Sequence, residues 1–202
     1  AVMQDLERKE IGDIAGEFTN RFGLYQTYLG YARDLPQRQT RQKWLLDAAN
    51  MYCGCVTFLH DSLKEALPQS EGLRRFLDSL DAYMHTEEFA ALRDDARRCA
   101  ERLGAVQYTL DVWLYQNKVA VRPDPGGAED VCARLSAAFR RFDLAESPRI
   151  VPFPGVNMES LELAVLERLE ELYPGEFALL GEFCGRHPAV GSKLIGTFAA
   201  EL

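Results

Sequence analysis

The sequence predicts a mainly α fold, a multi-helix bundle with one inserted β-hairpin at about 106–122. Three observations carry that expectation. Apolar residues recur at spacings of three and four over long stretches, the mark of helices with one buried face. Prolines, glycines and capping residues fall between those stretches. Only around 106–122 does the pattern change to strict alternation, the period of a strand.

Ile11, Ile14, Phe18, Phe22, Tyr25, Tyr28 and Ala32 form the first seam, so 5–35 reads as one long amphipathic helix despite Gly12, Gly16, Gly23 and Gly30. Pro36 ends it, because the residue before a proline is driven out of helical backbone. A second long helix, 37–67, places Leu45, Ala48, Tyr52, Cys55, Leu59, Leu63 and Ala66 on one face and stops before Pro68. A third, 70–85, opens at Ser70, whose hydroxyl suits an N-cap, and shows Leu73, Phe76, Leu77, Leu80 and Met84. The fourth, 87–103, is capped by Thr86, carries Glu87 and Glu88 at the positive end of its dipole, and reaches Gly104. Beyond the hairpin, helices are expected at 129–142, 157–173, 174–186 and 193–202, with the proline-rich stretch between 143 and 156 irregular. No linker divides the chain, which reads as a single domain.

The hairpin has a readable register. With Gln116-Asn117 as a two-residue turn, Leu114 faces Val119 and Val112 faces Val121, so four apolar side chains share one face. Thr109, Asp111, Trp113 and Tyr115 lie on the other face with Lys118, Ala120 and Arg122, and Asp111 stands opposite Arg122 as a cross-strand charge pair. Pro123, Pro125, Gly126 and Gly127 close the second strand. A lone two-stranded hairpin is marginal in water, so it must lean on neighbouring helices or serve something that touches its tip. Tyr115, Asn117, Lys118 and Arg122 offer an aromatic ring, an amide and two cations there, the groups that meet phosphate and sugar in nucleic-acid complexes.

Composition sets the limits of any such contact. The net charge is −8 over 202 residues, which excludes the broad basic surface of a free-standing nucleic-acid binder and leaves only local contact. No apolar run reaches the length of a membrane span and no secretory signal opens the chain. Five scattered cysteines fit a reducing compartment, the cytoplasm, better than a disulfide framework. A first residue of Ala1 rather than Met suggests a piece of a longer protein.

Other chemical motifs have plainer readings. Cys53-Gly54-Cys55 falls within a helix where residues two apart diverge, so core packing of Cys55 and partial burial of Cys53 are expected rather than a metal site. His60, His85 and His187 are dispersed, the last two near helix C-termini where an imidazolium suits the dipole. Glu159, Glu162, Glu167, Glu170 and Glu171 read as a solvated helix face. A phosphate-binding loop requires two glycines separated by four residues and followed by Lys and Ser or Thr. Between Gly185 and Gly191 there are five, and Ser192 precedes Lys193, so that stretch reads as a connection between helices.

The order and spacing of several short blocks resemble the helical core of bacterial MutS-like DNA mismatch repair proteins. These are Trp44-Leu45-Leu46-Asp47-Ala48-Ala49 with Tyr52-Cys53, Ser70-Glu71-Gly72-Leu73, Tyr83 before Thr86-Glu87-Glu88-Phe89, Val106-Gln107-Tyr108, and Lys118-Val119-Ala120-Val121. The likeness continues through Phe139-Arg140-Arg141-Phe142, Asn157-Met158-Glu159, Leu172-Tyr173-Pro174 and Phe183-Cys184. The resemblance implies a core and lever bundle followed in the parent protein by an ATPase domain that binds ATP and Mg and forms a homodimer. It further implies that this chain is not itself an enzyme, holds no cofactor or metal, and transmits nucleotide state to duplex DNA through the hairpin tip, standing as a reduced clamp. The alternative from the residues alone is a helical protein-interaction or dimerisation module without a nucleic-acid role.

Overall fold

The computed structural model describes residues 8–113, 118–123 and 158–201. Among them are seven helices and two strands: α1 (Lys9–Asp34), α2 (Arg38–Ala66), α3 (Glu71–Met84), α4 (Glu87–Gly104), β1 (Tyr108–Trp113), β2 (Lys118–Pro123), α5 (Met158–Leu172), α6 (Pro174–Arg186) and α7 (Lys193–Glu201). The protein is mainly α, as its periodicity requires. The chain, read above as one domain, divides into two compact units, one of Ala1–Leu103 with Gly175–Leu202 and the other of Gly104–Pro174. The expected helix at 129–142 lies outside the described residues.

In the first unit, α1 and α2 form a long helical hairpin joined by three residues, with α3 packed on α2. Among the described residues the first helix begins at Lys9, after an extended Arg8 (φ −69°, ψ 121°), and positions 5–7 of the expected helix lie outside them. A long-range contact holds Arg8 in place. The Arg8 guanidinium donates to the carbonyls of Ala66 (3.1 Å) and Leu67 (3.3 Å), supplying donors to the end of α2, where the last carbonyls lack helical partners. Leu67 itself sits in left-handed backbone (φ 49°) ahead of Pro68.

The centre of this unit is α2. Ala48, Tyr52, Cys55, Leu59, Leu63 and Ala66 of the expected seam are buried, and so is a second row, Leu46, Ala49, Cys53, Val56 and His60. Both rows are covered because the helix has neighbours on more than one side, so Cys53, expected to be partly buried, is in the core. Burial pushes the Cys53 thiol up to about 12 and the Cys55 thiol up to about 11. Phe18, Phe22 and Tyr25 of α1, Phe89 and Cys99 of α4, Leu180 and Phe183 of α6, and Ile195 of α7 complete the same core. The caps read from sequence are present: Ser70 Oγ accepts from Leu73 N (3.4 Å) and Thr86 Oγ1 from Phe89 N (3.2 Å).

The connection between α6 and α7 is held by tyrosines. Tyr25 Oη donates to the Val190 carbonyl at 2.7 Å, and Gly191 beside it has φ 124°. A Cβ at Gly191 would stand 2.7 Å from Tyr25 Oη, so both backbone and space require glycine. Tyr52 and Tyr83 share a hydroxyl contact of 3.0 Å.

Candidate functional site

In the second unit, β1 and β2 form a two-stranded antiparallel sheet, and α5 packs against β2. The pairing is Tyr108 with Pro123, Thr109 with Arg122, Leu110 with Val121, Asp111 with Ala120, Val112 with Val119 and Trp113 with Lys118. This corrects the expected register by two residues. Val112 faces Val119 rather than Val121, and Arg122 faces Thr109 rather than Asp111, so the cross-strand charge pair is not directly opposite. The expected turn at Gln116-Asn117 lies outside the described residues. The physical reason is that alternation fixes the face a residue takes and leaves pairings two residues apart equivalent. A shift of two keeps every side chain on its expected face.

The shared apolar face is unevenly covered. Val121 is 4% exposed and Leu169 of α5 is buried, while Leu110, directly opposite Val121, is 41% exposed. Tyr173 Oη donates to the Gln107 carbonyl at 2.7 Å, tying the residue after α5 to the entry of β1. Of the four predicted tip residues, Tyr115 and Asn117 lie outside the described residues, and only the backbone of Lys118 is described. Arg122 is exposed. Lys118 and Arg122 stand four positions apart on β2, roughly 13 Å along the strand.

A polar cluster that the sequence does not disclose lies in the helical unit. Asp95 of α4 accepts from His187 Nε2 at 3.0 Å and from Arg186 Nη1 at the end of α6, and from Arg98 on its own helix. Farther along the same two helices Arg102 Nη2 donates to Glu176 Oε1 at 2.9 Å. Burial by itself would raise the Asp95 carboxyl, but the His187 and Arg186 hydrogen bonds outweigh it and hold its pKa below the usual 3.8. A cleft of about 520 Å³ lies between the helices, lined by Cys99, Leu179 and Phe183 as well as these charges. Its cations and carboxylates neutralise one another, which makes it a fastening between α4 and α6 rather than a binding surface.

His60 is also structural. Its ring nitrogens face Asp61 Oδ1 (2.8 Å) and Asp81 Oδ1 (3.0 Å), so it bridges α2 to α3. His85 caps α3 and bonds the Asp81 carbonyl at 2.7 Å. No group of three or more His, Cys, Asp or Glu side chains among the described residues has metal-binding geometry. The stretch between Gly185 and Lys193 joins α6 to α7, with Ser192 Oγ accepting from Leu194 N at 3.2 Å. Among the described residues no helix is long and apolar enough to cross a membrane.

No family model, no curated protein and no solved structure matches this chain.

Proposed function

We propose that this chain is the core and lever segment of a MutS-like DNA-repair ATPase of the cytoplasm, coupling an ATPase domain with its ATP and Mg to duplex DNA or a partner. The observation that carries the reading is an insertion. A unit bearing a β-hairpin, Gly104–Pro174, interrupts a helical unit whose chain resumes at Gly175. That is the chain order of a lever that holds a small clamp between its helices. Helices of 26 and 29 residues, about 40 Å long, suit transmission because they move as rigid bodies. Homodimerisation through the ATPase domain belongs to the same proposal. The net charge of −8 favours a second reading, a helical protein-interaction module, because it opposes approach to a polyanion.

The test is the salt dependence of DNA binding by the Lys118→Ala, Arg122→Ala double variant. Each phosphate that is no longer neutralised should lower the slope of log affinity against log salt by about 0.9, so the pair should lower it by about 1.8. A folded double variant with unchanged affinity and slope would remove the clamp role from the hairpin.

A further inference from the structure

A cavity of about 430 Å³ lies in the helical unit, between α1, Tyr52 of α2 and the connection that leads into α7. Its floor is aromatic. The buried rings of Phe22 and Tyr25 stand 5.2 Å apart, and Tyr52 lies behind them with its ring 5.3 Å from that of Tyr25. Leu29 and Val190 add apolar walls, and Gly191 brings bare backbone up to the Tyr25 hydroxyl. Cavities of this size, mostly apolar and with a few placed polar groups, are the form that small-molecule sites take.

One charge faces this space. Arg33 is the only charged side chain among the described residues that line the cavity, about two turns beyond Tyr25 and one beyond Leu29 on α1. It is exposed, and among the described residues no carboxylate pairs with it. Burial pushes the Tyr25 phenol above its usual pKa, and the charge of Arg33 is the largest influence opposing that rise, as a guanidinium near the ring requires. A cation in the last turn of α1 suits the helix dipole, but the dipole does not explain the aromatic cavity beside it. The tyrosine hydroxyls are already committed, Tyr25 to the Val190 carbonyl and Tyr52 to Tyr83, so these residues offer a ligand their rings and Arg33 offers the charged donors.

We infer that this cavity binds a small aryl carboxylate, with its ring against Phe22, Tyr25 and Leu29 and its carboxylate on the Arg33 guanidinium. A planar guanidinium takes a carboxylate through two parallel hydrogen bonds, and one cation balances one negative charge. A phosphate dianion would need further donors, which walls of Phe22, Leu29 and Val190 do not supply. Such a ligand would join α1 to the connection between α6 and α7, so binding should raise thermal stability. The inference is independent of the proposed DNA role.

The experiment is isothermal titration calorimetry of the whole chain with 3-phenylpropanoate and with its neutral amide, with thermal melting as a second readout and circular dichroism as the fold control. The acid should bind saturably with Kd below about 5 mM and raise the melting temperature in proportion to occupancy. The amide should bind about 10-fold more weakly, and Arg33→Gln should bring the acid down to the level of the amide while leaving the amide unchanged. Gly196 also lines the cavity, and a Cβ there meets nothing within 4 Å, so Gly196→Leu should fold and weaken acid and amide alike by occluding the space. Lys64→Gln, far along α2, should change neither. No saturable binding of the acid, an amide bound within about 2-fold of the acid, inorganic phosphate bound as tightly as the acid, or undiminished acid affinity in folded Arg33→Gln or Gly196→Leu would overturn the inference.

Discussion

The second helix and the β-hairpin solve the same problem, covering apolar side chains, with opposite completeness. Two rows of side chains along α2 are buried, down to Cys53 and His60 on the row that sequence periodicity does not mark. On the hairpin the cross-strand partners Val121 and Leu110 differ tenfold, 4% against 41% exposed. The helix is covered on more than one side, whereas on the hairpin Val121 is buried and its partner Leu110 is exposed. The difference separates a fully covered core helix from a half-covered hairpin on packing alone.

The largest test of that contrast is in α2. Leu59 is 1% exposed, and truncation to Ala should destabilise the protein by about 3–5 kcal/mol through reduced burial and a residual cavity. Lys64→Ala, on the exposed side one turn away, should stay within about 0.5 kcal/mol. Equal melting temperatures for the two variants would break the description of α2 as the buried centre.

A smaller effect is expected at the fastening between α4 and α6. Asp95→Asn weakens acceptance from Arg186, Arg98 and His187 and should remove about 1–3 kcal/mol at neutral pH. The sign follows from a folded pKa held below 3.8: the carboxylate stabilises the fold above that value, and the increment is lost as pH falls through the lower folded pKa. Denaturant melts of wild type and variant should therefore differ at neutral pH and converge in acid. A gap that persists below about pH 3 would show that packing, not charge, underlies the effect.

The smallest pair sharpens the hairpin. Val121→Ala should destabilise by about 1–2 kcal/mol, since a buried branched side chain is removed from its place against α5. Leu110→Ala, on the same face and directly opposite, should change stability by about 0.5 kcal/mol or less. Comparable destabilisation at both positions would mean that the two strands are covered alike.

Local periodicity was enough to place most of this molecule. The seams of α1 and α2, the caps at Ser70 and Thr86, and the alternation of the hairpin are written in neighbouring residues, because helix and strand phases repeat every few positions. Faces of the hairpin were legible for the same reason, and its register was not: a shift of two residues leaves every face unchanged, so alternation cannot distinguish the two pairings.

Tertiary structure decided what depends on residues far apart in the chain. Arg186 and His187 meet Asp95 across separations of 91 and 92 residues, and Tyr25 reaches Val190 across 165. Arg8 donates to the Ala66 carbonyl at the end of α2 from 58 residues away. Nothing in the composition around Asp95 or Gly191 announces these partners, since a hydrogen bond is selected by where folded elements bring its donor and acceptor. The sequence alone thus determined which segments are helical and which face of each is apolar. Which of those faces are covered twice, how the hairpin pairs, and which charges are fastened were set by packing, because each requires two elements to be in place before the contact exists.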